Sequence, residues 1–131
     1  MQPKGYLVIS LDFELWWGVF DVLDPKSSST YFNNTLNVIP EILQIFEASG
    51  IHCTWATVGM LFNRDWKEWE GNIPEKLPDY RNIKLSAYAY GREHQREKES
   101  LFFAPALVRS ITNVPGQEVG THTYSHYSCQ E

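Results

Sequence analysis

This sequence predicts an α/β protein with parallel strand pairing, and three observations support that fold class. The run Tyr6-Leu7-Val8-Ile9-Ser10-Leu11 is apolar without alternation, as expected of a strand buried on both faces. Leu36, Ile39, Leu43 and Phe46 then recur at spacings of three and four, the stripe of an amphipathic helix. Further strand-like segments at 51–58 and 118–121 complete the order strand, helix, strand, helix, helix, strand.

Each element has its local reason. Residues 15–30 carry Trp16, Trp17, Gly18 and the turn-prone run Asp24-Pro25-Lys26-Ser27-Ser28-Ser29, which predicts a long loop. Gly50 closes the first helix as a C-terminal cap. Pro40, inside the helical pattern, either opens the regular helix or kinks it. Ile51-His52-Cys53-Thr54-Trp55-Ala56-Thr57-Val58 reads as the second strand, and a short helix is expected over 59–70 with Trp66 and Trp69 on one side. Residues 71–91, with Pro74, Pro78 and scattered Tyr, read as a surface excursion. The charged stretch 93–100 and the apolar stretch 101–111 fit one or two helices broken near Pro105. Pro115-Gly116 turns the chain into Glu118-Val119-Gly120-Thr121, the third strand. There is no repeat, low-complexity tract or linker, so residues 1–131 read as one domain or a piece of one.

Composition excludes several classes. Hydrophobic residues at 43% and charged residues at 21% are near the globular average, which rules out a wholly disordered chain. A net charge of −5, with no basic stretch to offset it, argues against nucleic acid as a partner. No apolar run approaches the roughly 18 residues of a membrane span, and the run before Asp12 is too short for a signal peptide. Two cysteines make no disulfide framework, so a cytoplasmic location is expected. Aromatics reach 15%, with five Trp, seven Tyr and seven Phe, and most of these are expected in the core.

Polar groups collect at the predicted strand ends, where α/β proteins bind ligands. Asp12 and Glu14 flank Phe13, and on an extended chain such neighbours project to the same side. Two acids side by side repel unless a cation or a shared proton relieves them. His122 and His126 are four apart, a spacing that stacks both rings on one face of a helix or tight turn and suits metal chelation. His94, among Arg92, Glu93, Arg96 and Glu97, reads as a solvated residue, and His52 as a hydrogen-bonded core residue. Cys53 reads as a small buried hydrophobe. A structural zinc on His122, His126 and Cys129 would need a fourth ligand that the last two residues do not supply. No glycine-rich phosphate loop or Gly-x-Ser-x-Gly elbow is present.

Three stretches together resemble the polysaccharide deacetylase family, the NodB homology domain. Val8-Ile9-Ser10-Leu11-Asp12-Phe13-Glu14 is similar to its first motif, an apolar strand ending in acids. Cys53-Thr54-Trp55-Ala56-Thr57-Val58-Gly59 is similar to its second-strand segment, and Glu118-Val119-Gly120-Thr121-His122-Thr123-Tyr124-Ser125-His126 to its second motif. The resemblance implies a partial, distorted (β/α) barrel of the TIM-like type, with about three strand–helix units and the chain truncated after the second motif, since a full barrel takes about 200 residues or more. It implies a hydrolase that removes N-acetyl or O-acetyl groups from a carbohydrate. By the same resemblance a divalent metal, usually zinc, is held by Glu14, His122 and His126, with Asp12 as the catalytic base. Many members have adjacent Asp-Asp; here the acids are Asp-x-Glu, as in a subset, and Glu14 has one methylene more of reach. Trp16, Trp17 and Tyr124 are candidate substrate-stacking faces. Two other readings of the same residues are a metal amidohydrolase acting on a small non-sugar amide and a non-catalytic carbohydrate- or metal-binding module.

Half a barrel leaves strand edges unpaired, so this chain is expected to self-associate. Light scattering should give a mass above that of one chain; a stable monomer at micromolar concentration would count against an open half-barrel.

Overall fold

The computed structural model describes residues 5–129, with the side chains of Pro25, Lys26 and Ser29 excepted. The first four residues, read above for a leader, and the last two, read for a further metal ligand, lie outside it. The architecture is mixed α/β: a three-stranded parallel sheet and four helices joined by short 3-10 turns. The strands are β1 (Ser10–Phe13), β2 (Cys53–Thr57) and β3 (Gln117–Thr121), in the spatial order β1-β2-β3. The helices are α1 (Pro25–Ser49), α2 (Trp66–Gly71), α3 (Ala87–Glu93) and α4 (Pro105–Asn113). No helix among the described residues is long and apolar enough to cross a membrane.

The strand β1 starts later than the apolar run suggested. Ser10 pairs with Thr54 and Phe13 with Thr57, while Tyr6, Leu7 and Val8 run outside the ladder at 88, 89 and 81% exposure. Burial on both faces is therefore not what these residues have, because among the described residues no element packs over them. Phe13 is the one buried residue of β1, packed edge-on against Trp55 with ring centroids 6.3 Å apart.

Helix α1 begins about ten residues before its apolar stripe. Proline is well suited to a first helical position, since its missing N–H would find no intrahelical partner there, so the expected loop ends at Asp24. Ile39 and Leu43 are buried and Leu36 and Phe46 half-buried, the face the spacing predicted. The helix runs through Pro40 without ending, because Pro40 is exposed and water can satisfy the carbonyl it leaves unbonded. Gly50, at φ 61°, closes α1 in a Schellman arrangement: its N–H donates to the Glu47 carbonyl and Ile51 N–H to that of Phe46.

The aromatic residues build the core between the sheet and the short helices. Trp17 has no exposed surface; it stacks on Trp69 at 6.2 Å and meets Phe102 edge-on at 5.2 Å. Helix α3 corrects the surface reading of residues 71–91. Ala87, Tyr88 and Gly91 are buried, and the charged stretch after Glu93 turns without forming a regular α-helix. Only Tyr88 on that face is large, with Ala87 and Gly91 beside it, so hydropathy periodicity could not flag it. Pro105 opens α4 at its first turn, as the break there implied.

The other two histidines exchange expectations. His52 is exposed, whereas His94 is half-buried, stacked on Tyr90 with centroids 3.8 Å apart and its Nδ1 2.8 Å from the Tyr90 carbonyl. Cys53 is buried as expected, and burial pushes its thiol pKa up, which keeps it protonated and unreactive.

Gly91 tests the packing of this core. A Cβ there would lie 2.6 and 2.7 Å from ring atoms of the fully buried Trp69. Gly91→Ala should therefore destabilise the protein by about 1–3 kcal/mol through overpacking, read from urea denaturation. A change within about 0.5 kcal/mol would show that the Trp69 ring has room to move.

Candidate metal centre

Sheet register brings the candidate ligands together. Phe13 and Thr121 both lie opposite Thr57, so β1 and β3 end level with each other on either side of β2. Glu14 and His122 are the next residues, two strand spacings apart, or about 9–10 Å between backbones. They meet only by reaching inward over the end of β2, where Val58 is fully buried. A long acid on one side and an imidazole on the other can span that gap.

Glu14 is aimed by a turn and not by strand alternation. Its backbone has left the extended conformation, at φ −135° and ψ −16°, and starts the 3-10 turn Leu15–Gly18. Trp17 N–H donates to its carbonyl at 3.1 Å. On the far side, His122 N–H donates to the Thr57 carbonyl and continues the ladder one residue past β3. The chain then folds over: Gly59 and Met60 N–H donate to the carbonyls of Thr123 and Tyr124, both at 2.9 Å. Thr123 Oγ1 accepts from Tyr127 N–H at 2.9 Å, closing the turn that brings His126 round.

The result is a compact triad. Glu14 Oε2 lies 3.3 Å from His122 Nε2 and 3.1 Å from His126 Nε2. The three donor atoms lie within 4.8 Å of one another, and this is the one such group of three among the described residues. Around a tetrahedral zinc, two nitrogens and a carboxylate oxygen stand about 3.3–3.5 Å apart, given ordinary bond lengths. The Glu14–His122 separation already matches that edge and the Glu14–His126 one falls short by about 0.2 Å. All three side chains are partly exposed, so an ion can enter and a coordination position can stay open to solvent. A Glu/His/His group of this geometry could hold a metal ion.

Backbone strain gathers at the same place. Leu15 at φ 45°, Thr123 at φ 58° and His126 at φ 50° are the non-glycine residues with positive φ among those described. The first follows Glu14, the second follows His122, and the third is itself in the triad. Such conformations cost about 1–2 kcal/mol each and persist only where surrounding contacts over-determine them.

Asp12 is exposed and lies outside the triad. It lines a cleft of about 320 Å³ together with Glu14, Leu23, Tyr31, Phe32 and Thr35. A second cleft, of about 280 Å³, lies beside His126 and is lined by Gly18, Phe20, Asp21, Val22, Leu85 and Ser128. Cys129 is exposed and is not among the clustered ligands.

Two of the aromatic candidates need correction. Trp16 and Trp17 have no exposed surface, and their indole N–H groups donate inward, to Tyr90 Oη at 2.9 Å and the Phe102 carbonyl at 2.8 Å. The 3-10 turn after Glu14 points both rings into the core, so neither offers a face to a ligand. Tyr124 is half-buried; its hydroxyl accepts from Asn63 Nδ2 at 3.2 Å, and burial raises its pKa above the ordinary tyrosine value. Its role here is to anchor the turn between the two histidines. Sequence reading missed the surface it docks on, Gly59 and Asn63, because that signal is steric: a Cβ at Gly59 would sit 2.9 Å from the Tyr124 Cα.

Comparison with protein-family models, with curated proteins and with solved structures returned no match.

Zinc titrated into metal-stripped protein should bind with about one equivalent, and at a hundred times its Kd should stabilise the fold by about 2.7 kcal/mol. His122→Ala should weaken binding by more than about a hundredfold, since losing a ligand exceeds the cost of losing a supporting contact. Calorimetry with no heat at micromolar zinc would remove the centre.

Proposed function

We propose that this chain is the N-terminal part of a metal-dependent hydrolase of the polysaccharide deacetylase type, with zinc on Glu14, His122 and His126. The observation that carries the reading is the seat of Glu14 Oε2 between the two imidazole Nε2 atoms at the carboxyl end of a parallel sheet. The partial (β/α) barrel is part of the same proposal. Parallel strands in sequential order, with α1 between β1 and β2 and further helices before β3, suit the opening units of such a barrel.

Zinc bound at such a triad supplies Lewis acidity, polarising an acyl carbonyl and making water a better nucleophile near neutral pH. The chain supplies the rest. Asp12, exposed in the cleft it shares with Glu14, is the proposed general base that takes the proton of the attacking water. Glu14 is committed to the two histidines and is not free for that role. Among the described residues none is proposed as general acid for the departing amine. That contribution is typically about 10²–10⁴-fold, so turnover by this chain alone should be faint.

N-acetylated carbohydrate is the proposed substrate class. A second reading, a small non-sugar amide, is favoured by one observation: the cleft beside Asp12 is lined by Leu15, Val19, Leu23, Tyr31 and Phe32, and the two tryptophans expected to stack on a sugar are buried. Parallel assays on N-acetylglucosamine oligomers and on an acetylated aryl amide decide between them.

Asp12→Asn should leave zinc affinity within about threefold while removing the residual hydrolysis, because only proton transfer is lost. Glu14→Gln should weaken zinc instead. If elemental analysis finds the Asp12→Asn protein as poor in zinc as the Glu14→Gln protein, the division of roles is wrong.

A further inference from the structure

The carboxylate of Glu14 occupies a space that exists because residue 18 has no side chain. A Cβ built on Gly18 would lie 2.1 Å from Glu14 Cδ, 2.1 Å from Oε1 and 2.6 Å from Cγ. These separations are far inside van der Waals contact, so a side chain at 18 and this Glu14 rotamer cannot coexist. One oxygen, Oε2, faces His122 and His126, while the other lies over the Gly18 Cα. We propose that Gly18 is a positioning residue for the metal centre: its bare Cα is the floor that sets where the Glu14 carboxylate rests against the two imidazoles. The proposal rests on the metal reading above and deepens it.

The argument turns on which partner yields. Gly18 does not occupy the left-handed region, so its backbone alone would accept alanine. It follows Trp16 and Trp17, whose rings are fully buried and whose N–H groups are hydrogen-bonded. Val19 N–H also donates to the Trp16 carbonyl at 3.1 Å, closing the turn across Gly18. That backbone cannot retreat without repacking the core. The Glu14 side chain is a quarter exposed and flexible, so it is the group that moves. The same reasoning accounts for a glutamate at this position. Its extra methylene lets it start from the β1 end and reach the histidines across β2, but the longer chain must lie down over something, and Gly18 gives it the room.

The consequence separates positioning from folding. Gly18→Ala should keep the metal-free thermal midpoint within a few degrees, because the clash is relieved by a solvent-accessible side chain. Its zinc affinity should fall about ten- to a hundredfold, the usual cost of disturbing what orients a ligand. In a Glu14→Ala background, where only the two histidines remain, adding Gly18→Ala should change zinc affinity by no more than about twofold, since there is no carboxylate to displace. Without any metal, the imidazole nitrogen resonances of His122 and His126 should shift in Gly18→Ala at fixed pH as the nearby carboxylate moves away.

The experiment is calorimetric zinc titration of wild type, Gly18→Ala, Glu14→Ala and the double variant, with imidazole nitrogen spectra of the metal-free proteins. Strong non-additivity in zinc affinity and a shift at both histidines support the proposal. If wild type binds zinc and Gly18→Ala binds it equally well, the proposal is overturned while the centre stands. Equal losses from Gly18→Ala in both backgrounds would overturn it as well, by showing a general structural effect. No zinc binding by wild type would overturn the centre and this proposal together.

Discussion

Burial of Trp16 and Trp17 immediately after Glu14 is the constraint on which the site depends. Both rings are fully inside, and each indole N–H meets an acceptor within the protein, so neither can rotate outward without losing a hydrogen bond. A tryptophan ring removes about 150–250 Å² from water, worth about 4–6 kcal/mol at 25 cal/mol per Å². The left-handed backbone at Leu15 that this turn requires costs about 1–2 kcal/mol. Burial wins by a margin large enough to hold an unfavourable turn in place. That turn is what lifts Glu14 off the strand direction and lays its carboxylate over Gly18.

The histidine side is held by a different means. The turn 122–126 has little burial of its own beyond Ser125, and docks by backbone hydrogen bonds onto Gly59 and Met60. Tyr124 adds a side-chain anchor through Asn63, which in turn accepts from Asn72 at the end of α2. The loop after β2 thus faces two ways: Val58 N–H donates to Phe13 on one side, and Gly59 and Met60 to Thr123 and Tyr124 on the other. A single connection in the middle of the sheet ties together the two segments that carry the ligands. The strained residue Thr123 sits within this docking, which is where strain can be sustained.

This division suits a group that could hold a metal ion and stay partly open to solvent. The carboxylate comes from a rigid, core-anchored turn, and the imidazoles from a surface loop pinned at a few points. Two clefts adjoin the triad, one lined by Asp12 and Glu14 and one by His126.

Much of this was legible in the residues themselves. The parallel α/β order, the buried face of α1, the Gly50 cap and the candidacy of Glu14 with a His-x3-His at strand ends all follow from local rules of periodicity, capping and ligand chemistry. Such rules act over one or two turns of chain, and they could not reach further. That Tyr6, Leu7 and Val8 stay outside the ladder depends on what packs against them, and the burial of Gly91 in α3 depends on the Trp69 ring that lies against it. Trp16 and Trp17 carry the same composition whether they face a ligand or the core; only Tyr90, Phe102 and Trp69, brought in from more than fifty residues away, decide it. The sequence by itself determined which side chains could form a metal centre and on which ends of which strands they would lie. Tertiary structure alone decided that they meet, because the register of β1 and β3 against β2 is a property of distant segments in contact.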